Sequence, residues 1–278
     1  MEKSETAKVF HCPICSFPAA SNLIDAHNHL QDPRFGGDQA AIIAAMREGG
    51  VTSCVVNGTD RADWSDVAAL AESHSDFVLP SFGLHPWKVQ GRADDWLRTL
   101  REFLVRFPNA GVGEIGLDRW IEGHDIEDQL VVFRDQLNLA VEFDRPCTIH
   151  CLRAWGQLLK ELSQRDRLPR FLVHSFGGSI ETGKKLADLG AYFSFSGYFL
   201  HERKQKAVEV FRQLPKDRIL VETDAPDMLP PESDRLFGGD EVNHPANLAR
   251  TCERLSELIG TSPQQLYSNT VQWFSGES

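Results

Sequence analysis

The sequence predicts a (β/α)8 barrel of the TIM type, one α/β domain over residues 23–278 behind a short N-terminal extension, residues 1–22. Three observations predict it. After Leu23 the chain repeats one unit: a short apolar β-rich run, a polar turn, then a stretch with helical spacing. The length suits a single large barrel. The residues able to do chemistry fall at the C-terminal ends of many different runs, where one ring of loops forms the active face of such a barrel.

The elements follow in order. LIDAH is the first strand and Ala40 to Glu48 the first helical stretch; VTSCVVNG and Trp64 to Ser73 come next. FVLPSFG precedes Trp96 to Phe107, and AGVGEIG precedes Gln129 to Phe143. PCTIH leads into Trp155 to Leu162, and RFLVH into Ile180 to Leu189, where Gly190 supplies a helix C-cap. AYFSFSG is followed by Lys204 to Leu214, and RILVETD by Ala246 to Ile259. Each strand is short and apolar without clean alternation, as expected of strands buried on both faces. An open doubly wound sheet uses the same alternation. It does not gather polar residues at the ends of so many strands, and the barrel is therefore preferred.

Bulk composition excludes several classes. No apolar run is long enough to span a bilayer, and residues 1–22 have no uninterrupted apolar core, so neither a membrane protein nor a secretory signal is expected. A net charge of −11 argues against a protein that coats nucleic acid or an anionic membrane, yet leaves room for an enzyme that meets phosphates at one point. The six cysteines are scattered rather than framed for disulfides, which points to a reducing, cytoplasmic protein. His11, Cys12 and Cys15, in HCPIC, make half a zinc knuckle; without a second Cys/His pair nearby, the segment reads as flexible extension.

The stretch LIDAHNHLQD places two histidines one residue apart at the end of an apolar run. Side chains alternate along an extended strand, so His27 and His29 share a face, with Asp25 beside them. Glu114, His150, His174 and Asp224 end later strands, and His85 follows the third. Barrel closure would bring four imidazoles and two carboxylates to one spot, more than one tetrahedral ion needs. The natural reading is a two-metal site with a bridging carboxylate, at which water is activated for hydrolysis at neutral pH. Neither a nucleophilic serine or cysteine nor a phosphate-binding glycine loop is required or evident.

DAHNHL, SFGLHPW, GVGEIGLD, TIH, VHSFGGS, YFSFSGY, ILVETDAP, HPANLARTCERLSELIG and NTVQWF occur in this order. Together they make the chain, from about Leu23 onward, resemble the TatD family of metal-dependent hydrolases, within the amidohydrolase-like superfamily. The resemblance implies a TIM-like barrel and a deoxyribonuclease of the 3′-5′ exonuclease type. It implies that His27, His29 and Asp224 hold one divalent cation, that His150 and His174 hold a second, and that Glu114 bridges them. Asp224 is then also the proton acceptor for the attacking water, and Glu222 steadies a ligand. His85 either contacts substrate phosphate or buttresses its loop. Two motifs depart from the family pattern. The fifth-strand arginine of His-x-Arg is displaced to Arg153, a candidate phosphate contact, and HSFGGS alters the loop after the sixth strand.

The expected cofactors are two divalent cations, zinc, manganese, iron or magnesium. The expected substrate is the single-stranded or frayed end of DNA, bound by a cytoplasmic monomer. Lys88, Arg119, Arg153 and Arg203 are candidate phosphate contacts, and Trp87 or Trp120 could stack on the terminal base. The alternative is an ester or amide hydrolase, such as a D-aminoacyl-tRNA deacylase, since the same chemistry attacks carbonyls. A third reading, a metal-binding scaffold without turnover, has no use for Asp224 as a proton acceptor.

Overall fold

The computed structural model of the protein describes residues 22–239 and 241–277. Eight strands alternate with helices: β1 (Leu23–Asn28), α1 (Gln39–Glu48), β2 (Val51–Asn57), α2 (Trp64–Ser73), β3 (Val78–Phe82), α3 (Trp96–Arg106), β4 (Gly111–Asp118) and α4 (Ile126–Phe143). They continue as β5 (Cys147–Leu152), α5 (Trp155–Ser163), β6 (Phe171–Val173), α6 (Ile180–Asp188), β7 (Tyr192–Ser196), α7 (Gln205–Gln213), β8 (Ile219–Glu222), α8 (Leu248–Ile259) and α9 (Pro263–Ser275). The strands lie side by side in chain order, every successive pair parallel. Strands β1, β4 and β7 are buried along their whole length, which is why their sequences read as apolar runs.

The ends of the sheet meet at a seam between β8 and β1. The Asp224 N–H donates to the His27 carbonyl at 2.9 Å, and the His29 N–H donates to the Ala225 carbonyl at 2.8 Å. Deeper in the seam the Asp25 carboxylate takes the place of ladder bonds. It accepts from the Thr223 N–H at 2.9 Å, from the Thr223 hydroxyl, and from Asn28 Nδ2 at 3.0 Å. Asp25 was expected beside the two histidines; its carboxylate instead staples the last strand to the first.

Two apolar layers hold the barrel. The larger lies between strands and helices. The smaller joins Ala26, Val55, Leu172, Tyr192 and Leu220 from five strands to Trp273 of α9, which is fully buried. Helix α9 was not among the expected elements. It begins where Ser262 caps the Gln265 N–H at 3.1 Å with Pro263 in the first turn, and Arg170 Nε ties its end by donating to the Trp273 carbonyl at 3.0 Å. Helix α4 starts three residues earlier than expected, because Asp125 accepts from the N–H groups of Glu127 and Asp128. Helix α8 is preceded by a 3-10 turn, Pro245–Asn247.

Among the described residues no helix is long and apolar enough to cross a membrane. His11, Cys12 and Cys15 lie outside the described residues, as does the expected extension apart from Asn22.

Candidate metal centre

The site is built where β1, β5, β6 and β8 end and midway along β4, since Glu114, expected to end that strand, lies four residues before its last residue, Asp118. Glycines make room for it. A Cβ on Gly116 would stand 1.9 Å from the His150 carbonyl oxygen, and one on Gly113 would press within 3.0 Å of Thr148, Asn57 and Ser81. Strand β4 can therefore pass close to its neighbours with Glu114 between them, buried to 3% exposure. After Glu222 the chain turns through a left-handed conformation at Asp224, φ 52°, which takes its carboxylate off the strand's alternation.

Glu114 turns its two oxygens to two donor groups. Oε2 lies 3.3 Å from His29 Nε2 and 3.6 Å from His27 Nε2. Those two nitrogens are 3.2 Å apart, and Asp224 Oδ1 sits 3.2 Å from His27 Nε2 and 3.6 Å from His29 Nε2. Oε1 lies 2.8 Å from His174 Nε2 and 3.0 Å from His150 Nδ1, themselves 3.2 Å apart. Around a tetrahedral ion with bonds of about 2.0–2.2 Å, neighbouring donors stand roughly 3.3–3.6 Å apart. The first group holds two imidazoles and two carboxylates, and the distances from each imidazole to the other donors, 3.2–3.6 Å, are close to that spacing. The second offers two imidazoles and a carboxylate.

Outer partners fix the imidazoles. His29 Nδ1 bonds the Asn57 carbonyl at 2.8 Å, which makes Nδ1 the protonated nitrogen and leaves the Nε2 lone pair for the centre. His150 Nε2 bonds Asp118 Oδ2 at 2.8 Å, so its Nδ1 is the inward lone pair. Glu222 faces the outer nitrogen of His174 at 3.7 Å and accepts from the Ser175 N–H, the Ser175 hydroxyl and the Ser194 hydroxyl. Glu222 was expected to steady a ligand; the candidate ligand it stands behind is His174.

His85 differs from the other four histidines. Its Nδ1 accepts the Trp87 N–H at 3.1 Å, so Nε2 carries the proton, and that N–H faces Glu114 Oε1 at 3.3 Å. It buttresses its loop and also presents a donor to the site. Arg153, by contrast, is exposed, adopts φ 56° and does not line the cavity. Arg119 stays outside it too, whereas Lys88 and Arg203 line it together with Arg34.

The protein's own charges pull positive charge to this centre. Burial alone would raise the Glu114 carboxyl, but His174, His85 and His150 hold it well below the usual carboxylate range. Burial opposes protonation of His29 and His174, yet Glu114 and Asp224 lift His29 to about 9 and His174 well above its ordinary value. His27 is pushed down by burial and by His174. Burial lifts Asp224 to about 6 against the histidines. A donor set that draws protons into its middle suits divalent cations, and nitrogen-rich donors with two carboxylates suit zinc, manganese or iron.

The centre opens into a cavity of about 1180 Å³. That exceeds the roughly 300–1,000 Å³ of a pocket for one small molecule. One functional residue escaped the sequence. Asp118, four positions beyond Glu114 and fully buried, holds both His150 and the Trp87 indole. Only its place at the end of GVGEIGLD, itself a strand end, could have marked it.

Comparisons with known proteins point to one family. The family model described as TatD related DNase matches residues 24–275. The chain is 34% identical to the uncharacterized metal-dependent hydrolase YjjV of Escherichia coli K12, over 94% of this chain and 99% of that protein. It is 31% identical to the 3′-5′ ssDNA/RNA exonuclease TatD of Pantoea ananatis, over 88% of this chain and 94% of that one. The crystal structure of the Escherichia coli K12 TatD homologue YjjV superposes with a TM-score of 0.84 at 33% identity, covering 91% of this chain and 98% of that one.

Proposed function

Because the chain belongs to the TatD-related DNase family, we propose that it is a metal-dependent hydrolase cleaving phosphodiester bonds at single-stranded or frayed DNA ends, as a 3′-5′ exonuclease. The observation that carries this reading is Glu114, whose two oxygens serve two separate donor groups at the foot of one open cavity. His27, His29 and Asp224 would hold one divalent cation, His150 and His174 the other, and Glu114 would give an oxygen to each. When bound, such a pair supplies electrophilic stabilisation of phosphate oxygens and acidifies water near neutral pH.

The chain's own groups do the rest. Asp224 accepts the proton of the water that attacks phosphorus as the P–O bond to the departing strand breaks. His85, neutral because burial lowers its pKa, faces Glu114 Oε1 with its Nε2–H and would turn that donor to a non-bridging phosphate oxygen when substrate binds. Asp118 and Asn57 keep His150 and His29 in the tautomers that face the centre. All these donors come from one chain, so the proposed centre needs no residue from a second copy. The described cysteines, Cys54, Cys147, Cys151 and Cys252, are free and buried, in keeping with a cytoplasmic protein.

The test uses protein stripped with a chelator, checked by elemental analysis, and then reloaded with zinc, manganese or magnesium. An end-labelled single strand, a sealed circular duplex and a D-aminoacyl-tRNA serve as parallel substrates. Activity should vanish on stripping, return on reloading, and shorten the single strand from its 3′ end while leaving the circle closed. Full activity in the stripped sample would overturn the metal-dependent reading; faster deacylation than shortening would move the substrate to the ester class.

A further inference from the structure

Five large hydrophobic side chains are exposed among the described residues, and three of them, Trp87, Trp120 and Leu152, line the cavity. Scattered apolar exposure needs no explanation; its gathering at the mouth of a metal-ligand cluster does. Trp87 is 45% exposed and Trp120 54%, and their rings lie 6.2 Å apart at 31°. They come from the loops after β3 and β4, beside the end of β5 that carries His150.

Both residues are anchored, Trp87 by its ring and Trp120 by its backbone. Asp118, fully buried at the end of β4, holds both residues. Its Oδ1 accepts the Trp120 N–H at 2.6 Å and the Ile121 N–H at 3.2 Å. Its Oδ2 accepts the Trp87 indole N–H at 2.7 Å and bonds His150 Nε2 at 2.8 Å. One carboxylate therefore fixes the Trp87 indole, the backbone that carries Trp120, and one imidazole of the cluster. Flat faces beside the proposed site for phosphate suit a ligand that carries a flat π-system close to its phosphate. An unpaired nucleobase is such a ligand, and every base has a face to stack.

We propose that Trp87 and Trp120 form the platform on which the terminal unpaired base stacks, and that Asp118 ties this platform to the ligand His150. The proposal rests on the exonuclease reading and adds what positions the terminal nucleotide. Trp87 and Trp120 contact the base; Asp118 is a positioning residue. Terminal-base recognition then depends on an aromatic face and not on base identity, which fits an enzyme that shortens strands of any sequence.

The full-length, metal-loaded protein is tested on two end-labelled oligonucleotides of one sequence, one ending in an ordinary 3′ nucleotide and the other in a 3′ abasic tetrahydrofuran nucleotide. Wild type should prefer the ordinary end by roughly 5- to 150-fold in kcat/KM, the worth of one base stacked on an aromatic ring. Trp120→Ala should bring that preference near one, chiefly through KM. Independently of turnover, oligo(dT) should quench tryptophan emission in EDTA, and less so in Trp120→Ala. Trp87→Phe keeps a ring but loses the indole N–H; it should retain most of the preference and bind fewer ions per chain at limiting metal. Equal cleavage of both ends by wild type, or an undiminished preference in Trp120→Ala, overturns the platform and leaves the exonuclease reading standing. Unchanged metal uptake in Trp87→Phe overturns the tie through Asp118. No cleavage of either oligonucleotide overturns the exonuclease reading and the platform with it.

Discussion

Glu114 and Asp224 are both buried carboxylates, yet they should fail differently when made neutral. Asp224→Asn removes the proton acceptor, so kcat should fall by about 10²- to 10⁴-fold while KM moves little, measured with metal content in parallel. Near-normal kcat would remove Asp224 from the mechanism. Glu114→Gln leaves one neutral oxygen where two are shared between groups, so elemental analysis should find fewer ions per chain than in wild type. Asp118→Asn weakens the acceptor behind His150 and should cost about 10- to 100-fold in metal affinity, read by competition with a chromogenic chelator. Five of the six candidate ligands could be picked out in the sequence because each lies within two residues of a strand's end, and a strand end in a barrel has one destination; Glu114 stands mid-way along β4, where the sequence had put it at the end. Asp118 could not be picked out, because its role comes from a bond to a histidine on the next strand, which no local spacing encodes. Arg153 was misjudged for the same reason: three residues beyond His150 the backbone has left the strand, and alternation no longer says where a side chain goes.

At the level of elements, all eight strands could be read because each is a short run rich in apolar residues and closed by a turn. Helix α9 could not. Two of its four buried positions are Asn269 and Thr270, so its inner face lacks the apolar periodicity that marked the other helices, although Ser262 and Pro263 signal its start. Its function is to set Trp273 against the inner layer of the barrel, among residues of five strands. Trp273→Ala should leave a cavity worth about 3–5 kcal/mol. At about 2–4 °C per kcal/mol for a chain of this size, Tm should fall by roughly 6–20 °C. None of the candidate metal ligands belongs to this layer, so ions per chain should be unchanged in the cold. A Tm within 2 °C of wild type would deny α9 this part.

The whole molecule carries −11, so its overall field repels a polyanion and binding has to be local. The cations lining the cavity are few and several are engaged. Arg34 is held by Asp32 and Asp227, Lys88 lies 3.7 Å from Asp60, and Arg203 rests on the ring of Tyr198. Contacts to about two or three phosphates follow, at a slope near −0.7 each for single strands. Log affinity for an oligonucleotide should therefore fall against log salt with a slope no steeper than about −2; a slope of −5 would reveal a basic track absent from this reading. The seam at which the barrel closes has a consequence in time. Asp25 and its partner Thr223 are 198 residues apart, and the histidines of the first strand meet Asp224 only across that seam. A ribosome adding about 5–20 residues per second takes about 10–40 s to cover the distance. Throughout that interval the proposed proton acceptor has not been made. A hydrolase assembled in this order gains its proposed centre only with its last strand.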